Sequence, residues 1–298
     1  MILAKLTNVH NIPDEIFQVL QPRPRKHPND IYATELNQTP LAYFLKKKYG
    51  DEIYEDVSDL LFALLGSSVH YVLDKGANKN SLTEERLVVP VLGYNLVMRP
   101  DNWHNKVLSE WKVTRAFAFL FGEKKDWAMQ LNVYAWGLLQ YGFETDRLVV
   151  NAILRDWDRR KGKYDRQYPA IPFVSVDYPL WTPDVTEGLI RGKLLQFAAV
   201  DNGKDTEKCD DEYRWHRPDL YAVKKKGTKR ALPGGAKFKT REEAEAFAAR
   251  KEGPKMKCEI EFRAGVDARC AEFCPVRSVC PYNSYRGGEE VEGSKLDE

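Results

Sequence analysis

The sequence predicts an α/β fold, a mixed sheet flanked by helices. Segments with apolar residues at helical spacing alternate with β-branched runs, and the composition is that of a chain with a buried core. Of 298 residues, 43% are hydrophobic and 30% charged, enough for one large core or two smaller ones and too apolar for a disordered chain. The elements run helix, strands, helix, strand, helix. Thr34-Glu35-Leu36 precedes a helix over residues 40–49, and residues 56–76 place Val57, Leu60, Leu61, Leu64, Leu65, Val69 and Val72 at helical spacing. Residues 86–98 are rich in Val, Leu and Tyr, residues 101–106 hold turn formers, and residues 106–114 are extended again, which reads as strands joined by a hairpin. Helical spacing returns over residues 126–141 (Trp127, Leu131, Tyr134, Leu138, Leu139). A buried strand is expected over 147–157 and an amphipathic helix over 182–200.

Composition shifts divide the chain further. Residues 1–30 are polar and carry Pro13, Pro22, Pro24 and Pro28, as an extended N-terminal arm would. Residues 31–200 form the α/β core, 201–285 a basic and cysteine-rich accessory module with a short helix over 240–251, and 286–298 an acidic, disordered tail. Lys and Arg total 46 against 44 Asp and Glu, so the net charge of +2 gives no blanket signature for nucleic acid or membrane. The longest strongly apolar stretch, residues 60–65, falls far short of the roughly 20 residues that span a bilayer. No secretory leader is visible, and five cysteines, four of them after residue 250, do not make a secreted disulfide framework. The expectation is a soluble cytoplasmic chain, in a bacterial or phage-infected cell, with no membrane partner.

Arg99-Pro100-Asp101 ends one expected strand, and Glu110-Trp111-Lys112 lies in the next. With His104-Asn105 as the turn, Asp101 falls opposite Leu108, with Glu110 its diagonal neighbour and Lys112 on the same face. Diagonal neighbours lie roughly 7–8 Å apart at the backbone, a gap that a hard cation bridges by taking oxygens from both carboxylates. A divalent ion there polarises a phosphate and lowers the pKa of a bound water, while Lys112 stabilises charge on phosphoryl oxygens or orients the nucleophile. Alone, Glu-x-Lys on a strand is usually a solvated face and Pro-Asp usually a turn. His70 ends Gly66-Ser67-Ser68-Val69-His70 on an apolar helical run, where a lone histidine is more often structural. Gln130 and Tyr134 share a helix face at i and i+4, a spacing more often used for packing.

Taken together and in this order, Gly66-x-x-x-His70, Pro100-Asp101, Glu110-x-Lys112 and Gln130-x-x-x-Tyr134 resemble the motifs of the RecB-type branch of the PD-(D/E)XK nuclease superfamily. The resemblance implies a restriction-endonuclease-like core in which His70, Asp101 and Glu110 bind Mg²⁺ or Mn²⁺ and Lys112 supports catalysis. Gln130 and Tyr134 then contact DNA or hold the site. It further implies a deoxyribonuclease, an exonuclease on single strands or ends, in recombination, repair or phage DNA processing. Many relatives carry Gly-x-x-Asp before the hairpin, where this chain has Gly93-Tyr94-Asn95-Leu96. Two registers stay open. Asp101 as the motif acid preserves the Pro-Asp pair and the same-face geometry. Asn95 in that place leaves a catalytically impaired DNA-binding or partner-binding protein on the nuclease fold.

Cys270-x3-Cys274-x5-Cys280, with Cys209 upstream, supplies soft thiolate ligands suited to zinc or an iron-sulfur cluster. Zinc sites commonly use two C-x2-C pairs. Here three cysteines cluster, the fourth is remote, and a proline follows two of them. That asymmetry resembles the iron-sulfur nucleases of the AddB type and the CRISPR-associated RecB-like exonucleases. Residues 152–157, Lys208-Cys209 with Trp215, residues 221–224 and residues 274–277 also resemble phage and prophage members of this group. The resemblance implies a 4Fe-4S cluster on Cys209, Cys270, Cys274 and Cys280, with Zn²⁺ as the alternative, and a recombination or CRISPR-like protein partner. Cys258 is the spare thiol or a competitor for the remote position.

Lys224, Lys225, Lys226, Lys229, Arg230, Lys237 and Lys239 follow one another with no acid between them. Such a segment can grip DNA phosphates with steep salt dependence, or stand as a solvated loop. Trp215, Tyr221, Trp103, Trp111, Phe117 and Phe119 are candidates for stacking on unpaired bases, although most aromatics at these spacings are core.

Overall fold

Strand alternation and turn chemistry shape the first of the two units, Met1–Thr206 and Glu207–Glu298, into which the chain divides. The computed structural model describes residues 4–22, 24–119, 124–253, 256–283, 285–286 and 289–290. The strands that position the site are β1 (Asp30–Tyr32), β2 (Leu87–Val91), β3 (Tyr94–Met98), β4 (Asn102–His104), β5 (Val107–Thr114), β6 (Arg147–Leu154) and β7 (Phe173–Tyr178). One sheet has the order β1-β3-β2, with β1 parallel and β2 antiparallel to β3. The other has the order β4-β5-β6-β7, in which β5 and β6 are parallel and the outer pairs antiparallel. Arg99-Pro100-Asp101 carries the chain from the first sheet to the second.

Both hairpins close on two-residue turns with positive φ at each central residue, Leu92-Gly93 (50° and 81°) and Asn105-Lys106 (48° and 61°). Such turns match the right-handed twist of the flanking strands. The second turn corrects the expected turn at His104-Asn105. Asn102 pairs with Ser109 and His104 with Val107, so the register carried one step further sets Asp101 opposite Glu110, not Leu108. Asn105 tolerates the left-handed region in either register; the register adopted sets Trp103 opposite the fully buried Leu108, and a strand with one buried face has its pairing fixed by that face.

Four helices complete the unit: α1 (Pro40–Lys48), α2 (Leu61–Lys75), α3 (Lys125–Gln140) and α4 (Pro183–Asp201). Thr39 caps α1 and Thr182 caps α4, each followed by proline at the first helical position. The parallel pair β5 and β6 needs a long crossover, and α3 lies within it. Every α3 residue from Ala128 to Leu138 is buried. The core joins Leu131, Val133 and Leu138 of α3 to Leu96, Met98, Leu108, Leu148 and Val150 of both sheets and to Ile190, Leu194 and Phe197 of α4. Gly137 permits the approach, because a Cβ there would collide with the Met98 sulfur. Asp201, ending α4, accepts from Tyr43 Oη and Tyr94 Oη at 2.9 Å each and from Lys47 Nζ at 2.6 Å.

Two expectations for this unit need correction. The residues read as an extended arm include a strand, Lys5–Thr7, parallel to Tyr54–Asp56, and a helix, Asp14–Val19. The Asp56 carboxylate fastens that strand by accepting from Thr7 Oγ1, Val9 N and Ser58 N. Strand β7 was not anticipated, although its side chains alternate outward and inward in step with the pleat. The short turn before α2 extends the apolar run, so Val57–Lys75, 19 residues of hydropathy 1.2, is long and apolar enough to cross a membrane by length and composition. Here it carries His70 to the β5 backbone.

In the second unit, β8 (Leu220–Lys225) and β9 (Cys258–Arg263) are antiparallel, and α5 (Arg241–Lys251) packs Ala244 and Ala248 against Val223. The basic run is acid-free in sequence only. Lys224 Nζ lies 3.9 Å from both Glu259 and Glu261 of β9, while Lys225, Lys226, Lys229 and Arg230 are exposed. At the start of the tail read as disordered over 286–298, Arg286 pairs with Glu289, and Tyr285 just before it with Glu290; residues 291–298 lie outside the described residues.

Candidate metal centre

His70 projects from α2 onto the edge between Asp101 and β5. Its Nδ1 is 3.2 Å from Asp101 Oδ1 and 3.3 Å from Glu84 Oε1, and its Nε2 is 3.1 Å from the Trp111 carbonyl oxygen. The second Asp101 oxygen accepts from Trp111 N at 2.7 Å, which fastens Asp101 to β5. The Asp101 hydrogen bond is the largest influence on His70 and, against burial, raises its pKa to about 9. An imidazolium thus stands among three oxygens that suit a cation.

Glu110 and Lys112 extend from β5 toward α3. Glu110 is 2% exposed. Its Oε1 accepts from Lys112 Nζ at 2.7 Å and from Gln130 Nε2 at 2.8 Å. Lys112 also donates to Gln130 Oε1 at 3.1 Å, and Gln130 donates to Tyr134 Oη at 3.0 Å. Gln130 and Tyr134 are one helical turn apart, so one face of α3 holds both. Burial pushes the Glu110 carboxyl up to about 7, with Asp101 adding to the rise and Lys112 opposing it. Burial and then the charge of Glu110 push the Tyr134 phenol upward. Glu110 Oε2 is buried without a hydrogen-bond partner among the described residues. A buried carboxylate oxygen left unpaired is costly, and a positive partner removes the cost.

Every motif residue singled out on the first unit lies in one of two groups, His70 and Asp101 gathered with Glu84, and Glu110, Lys112, Gln130 and Tyr134 joined by hydrogen bonds, and the bond from Trp111 N to Asp101 sets the groups side by side on β5. Asn95 lies in neither. Its Nδ2 donates to Asp30 Oδ1 at 3.1 Å, and Asp30 also accepts from Arg86. Glu84 was missed. It lies in the loop before β2, and no spacing rule ties it to His70. Carboxylate oxygens, a backbone carbonyl and an imidazole are the hard and borderline donors that Mg²⁺ and Mn²⁺ take, so the residues fit such an ion.

Several aromatic candidates serve packing. Trp103 lies edge-on to Phe143 and donates to Thr145 Oγ1, and Phe119 packs on Trp127. In the second unit, Arg269 lies over the Tyr213 and Trp215 rings.

Cys209, Cys274 and Cys280 lie near enough to Cys270 to act on its ionisation. Burial first, then the proximity of Cys274, Asp267, Cys209 and Cys280, pushes the Cys270 thiol up to about 11. Cys274 is raised by burial and by Cys280 and Cys209. Pairing of His216–Arg217 with Val266–Asp267 brings the Cys209 segment to Cys270, and Arg214 braces it by donating to the Cys209 carbonyl and pairing with Asp267. Cys258 instead packs, partly buried, against the cluster of Val223, Ala244 and Ala248.

No protein-family model and no curated protein matches the chain. Among solved structures, SSO0001 is similar at 21% identity with a TM-score of 0.41, over 61% of this chain and 82% of that one. A protein from Eubacterium rectale named "Putative exonuclease" is similar at 12% identity with a TM-score of 0.33, over 72% and 80% of the two chains. At these scores neither likeness bears on the chemistry, which rests on the side chains above.

Proposed function

We propose that this chain is a divalent-metal-dependent deoxyribonuclease with a restriction-endonuclease-like core, hydrolysing phosphodiester bonds as an exonuclease on single strands or DNA ends. The observation that carries the reading is the buried Glu110 carboxylate, joined to Lys112 on one side, opposite Asp101 in register, with one oxygen left without a partner. His70, Asp101 and Glu110 are the residues that would hold Mg²⁺ or Mn²⁺. When bound, such an ion polarises the phosphate and lowers the pKa of a coordinated water. Lys112 supports the reaction by donating toward phosphoryl oxygens as charge develops on them. Gln130 keeps Lys112 and Glu110 in one orientation, and Tyr134 holds Gln130.

The four grouped cysteines support the further proposal of a 4Fe-4S cluster held by Cys209, Cys270, Cys274 and Cys280, with Zn²⁺ as the alternative. Its role is structural. It would close the long loop between Cys209 and Cys270, so that ligand affinity becomes folding free energy. Lys225, Lys226, Lys229 and Arg230 are proposed as phosphate contacts, and a recombination or CRISPR-like protein as a partner. Asp101→Ala tests the assignment of the acid. Loss of Mn²⁺-dependent cleavage of linear DNA, with the melting temperature kept, supports it, and cleavage at the wild-type rate contradicts it.

A further inference from the structure

We propose that Glu84 is a direct ligand of the divalent cation, forming with His70 Nδ1 and Asp101 Oδ1 a three-residue ligand face that the motif pattern does not contain. The inference rests on the metal-dependent reading above. His70, Glu84 and Asp101 each offer a ligand atom within 4.8 Å of the other two. An ion holding oxygens at about 2.0–2.1 Å needs ligands at most about 4.2 Å apart, so small side-chain adjustments close the set. The Trp111 carbonyl fixes the imidazole. With Nε2 donating to it at 3.1 Å, Nδ1 faces Glu84 and Asp101, and release of its proton would present a lone pair to an ion there, the outer-shell arrangement that orients metal-bound histidines.

A separate observation points to a cation on this face. Glu110, 2% exposed, keeps Oε2 unpartnered among the described residues, and the register sets Glu110 opposite Asp101. Lys112 pairs with Glu110, so Glu84 and Asp101 are the carboxylates that face His70 and remain to meet an ion. The chain also sustains Glu84 in a backbone conformation that L-residues populate sparsely, with φ of 51°. The Glu84 amide is tied to the Pro100 carbonyl at 3.0 Å, and Leu82 exchanges two backbone hydrogen bonds with Trp103. The segment is thereby zipped to the residues flanking Asp101. A cleft of about 470 Å³ lined by His70, Glu84, Asp101 and Trp111 opens beside it.

The test is Mn²⁺ binding to EDTA-stripped full-length protein, without DNA, followed by titration calorimetry. Glu84→Gln keeps an acceptor for His70 but loses the charge, so a merely structural role survives in it. Glu84→Gly also relieves the left-handed backbone and is expected to melt at or above the wild-type temperature. Both variants should bind Mn²⁺ more than about tenfold more weakly, with exposed Glu85→Gln unchanged within about threefold. Wild-type affinity in either Glu84 variant overturns the proposal. If the wild type itself takes up no Mn²⁺, the metal-dependent reading falls, and this proposal with it. Normal wild-type binding and cleavage with unaffected Glu84 variants removes only the proposal.

Discussion

Replacing Glu110 with Gln should stabilise the metal-free protein while abolishing cleavage, and burial sets the size of the gain. The Glu110 carboxyl rises from 4.5 to about 7, chiefly because it is buried, with Lys112 offsetting part of the rise. The sign follows from where each state ionises. Below 4.5 both folded and unfolded chains are protonated. Between the two values only the unfolded chain has lost its proton, so stability falls as pH rises, and above about 7 the loss is complete. At about 1.4 kcal/mol per unit, ionised Glu110 costs the folded, metal-free protein on the order of 3 kcal/mol at pH 8. Gln mimics the protonated carboxyl and still offers an oxygen to Lys112 and Gln130. Urea denaturation of the EDTA-stripped proteins measures the difference. The variant should be more stable by about 3 kcal/mol at pH 8, the gap should close as pH falls to 4.5, and Mn²⁺ should stabilise the wild type more than the variant. Equal stability at both pH values, or a less stable variant at pH 8, refutes the reasoning.

Other consequences follow from single contacts. Gly137→Ala forces a methyl into buried Met98 and should lower stability by about 1–3 kcal/mol in urea melts; an unchanged midpoint contradicts the close packing of α3 on β3. Burial pushes the Asp30 carboxyl up, but the bonds from Asn95 and the His27 amide and the charge of Arg86 outweigh it, and the carboxyl ends below its ordinary 3.8. Its contribution is therefore present above pH 3.8 and lost as pH falls through the lowered folded value. Asp30→Asn should flatten that acid limb in pH-dependent melts, and an unaltered limb counts against it. Cys274→Ala should remove most iron and acid-labile sulfide from anaerobically purified protein and lower its melting temperature. Stoichiometric zinc without iron in the wild type would replace the cluster by the zinc alternative.

What could be read from the sequence was whatever local spacing controls. Gln130 and Tyr134 share a face because an α-helix repeats every 3.6 residues, and Glu110 and Lys112 share one because a strand repeats every two. The hairpin register was off because local turn preference does not choose between His104-Asn105 and Asn105-Lys106, while the pairing of Trp103 with buried Leu108 does. The correction brings Asp101 and Glu110 directly opposite each other. Glu84 was hidden because its distance to His70 depends on the Leu82–Trp103 bridge, a tertiary pairing with no sequence signature. Asn132 was hidden for a similar reason. Buried inside α3, it bonds Ala128 O, Pro179 O and Trp181 N, tying the helix to the chain after β7. In the second unit, sequence clustering gave three cysteines and a resemblance gave Cys209 as the fourth, while the partly buried place of Cys258 against the Val223 cluster depends on strand pairing that spacing does not reveal.

The central claim is that His70, Asp101, Glu110 and Lys112 form one metal-dependent hydrolytic centre for DNA. Its most direct test is the release of end label from linear single- and double-stranded DNA as Mn²⁺ is titrated into EDTA-stripped protein, with Glu110→Ala run in parallel. The expected result is release that rises with added Mn²⁺ in the wild type and is absent in Glu110→Ala. Release that ignores Mn²⁺, or that persists in Glu110→Ala, contradicts the claim.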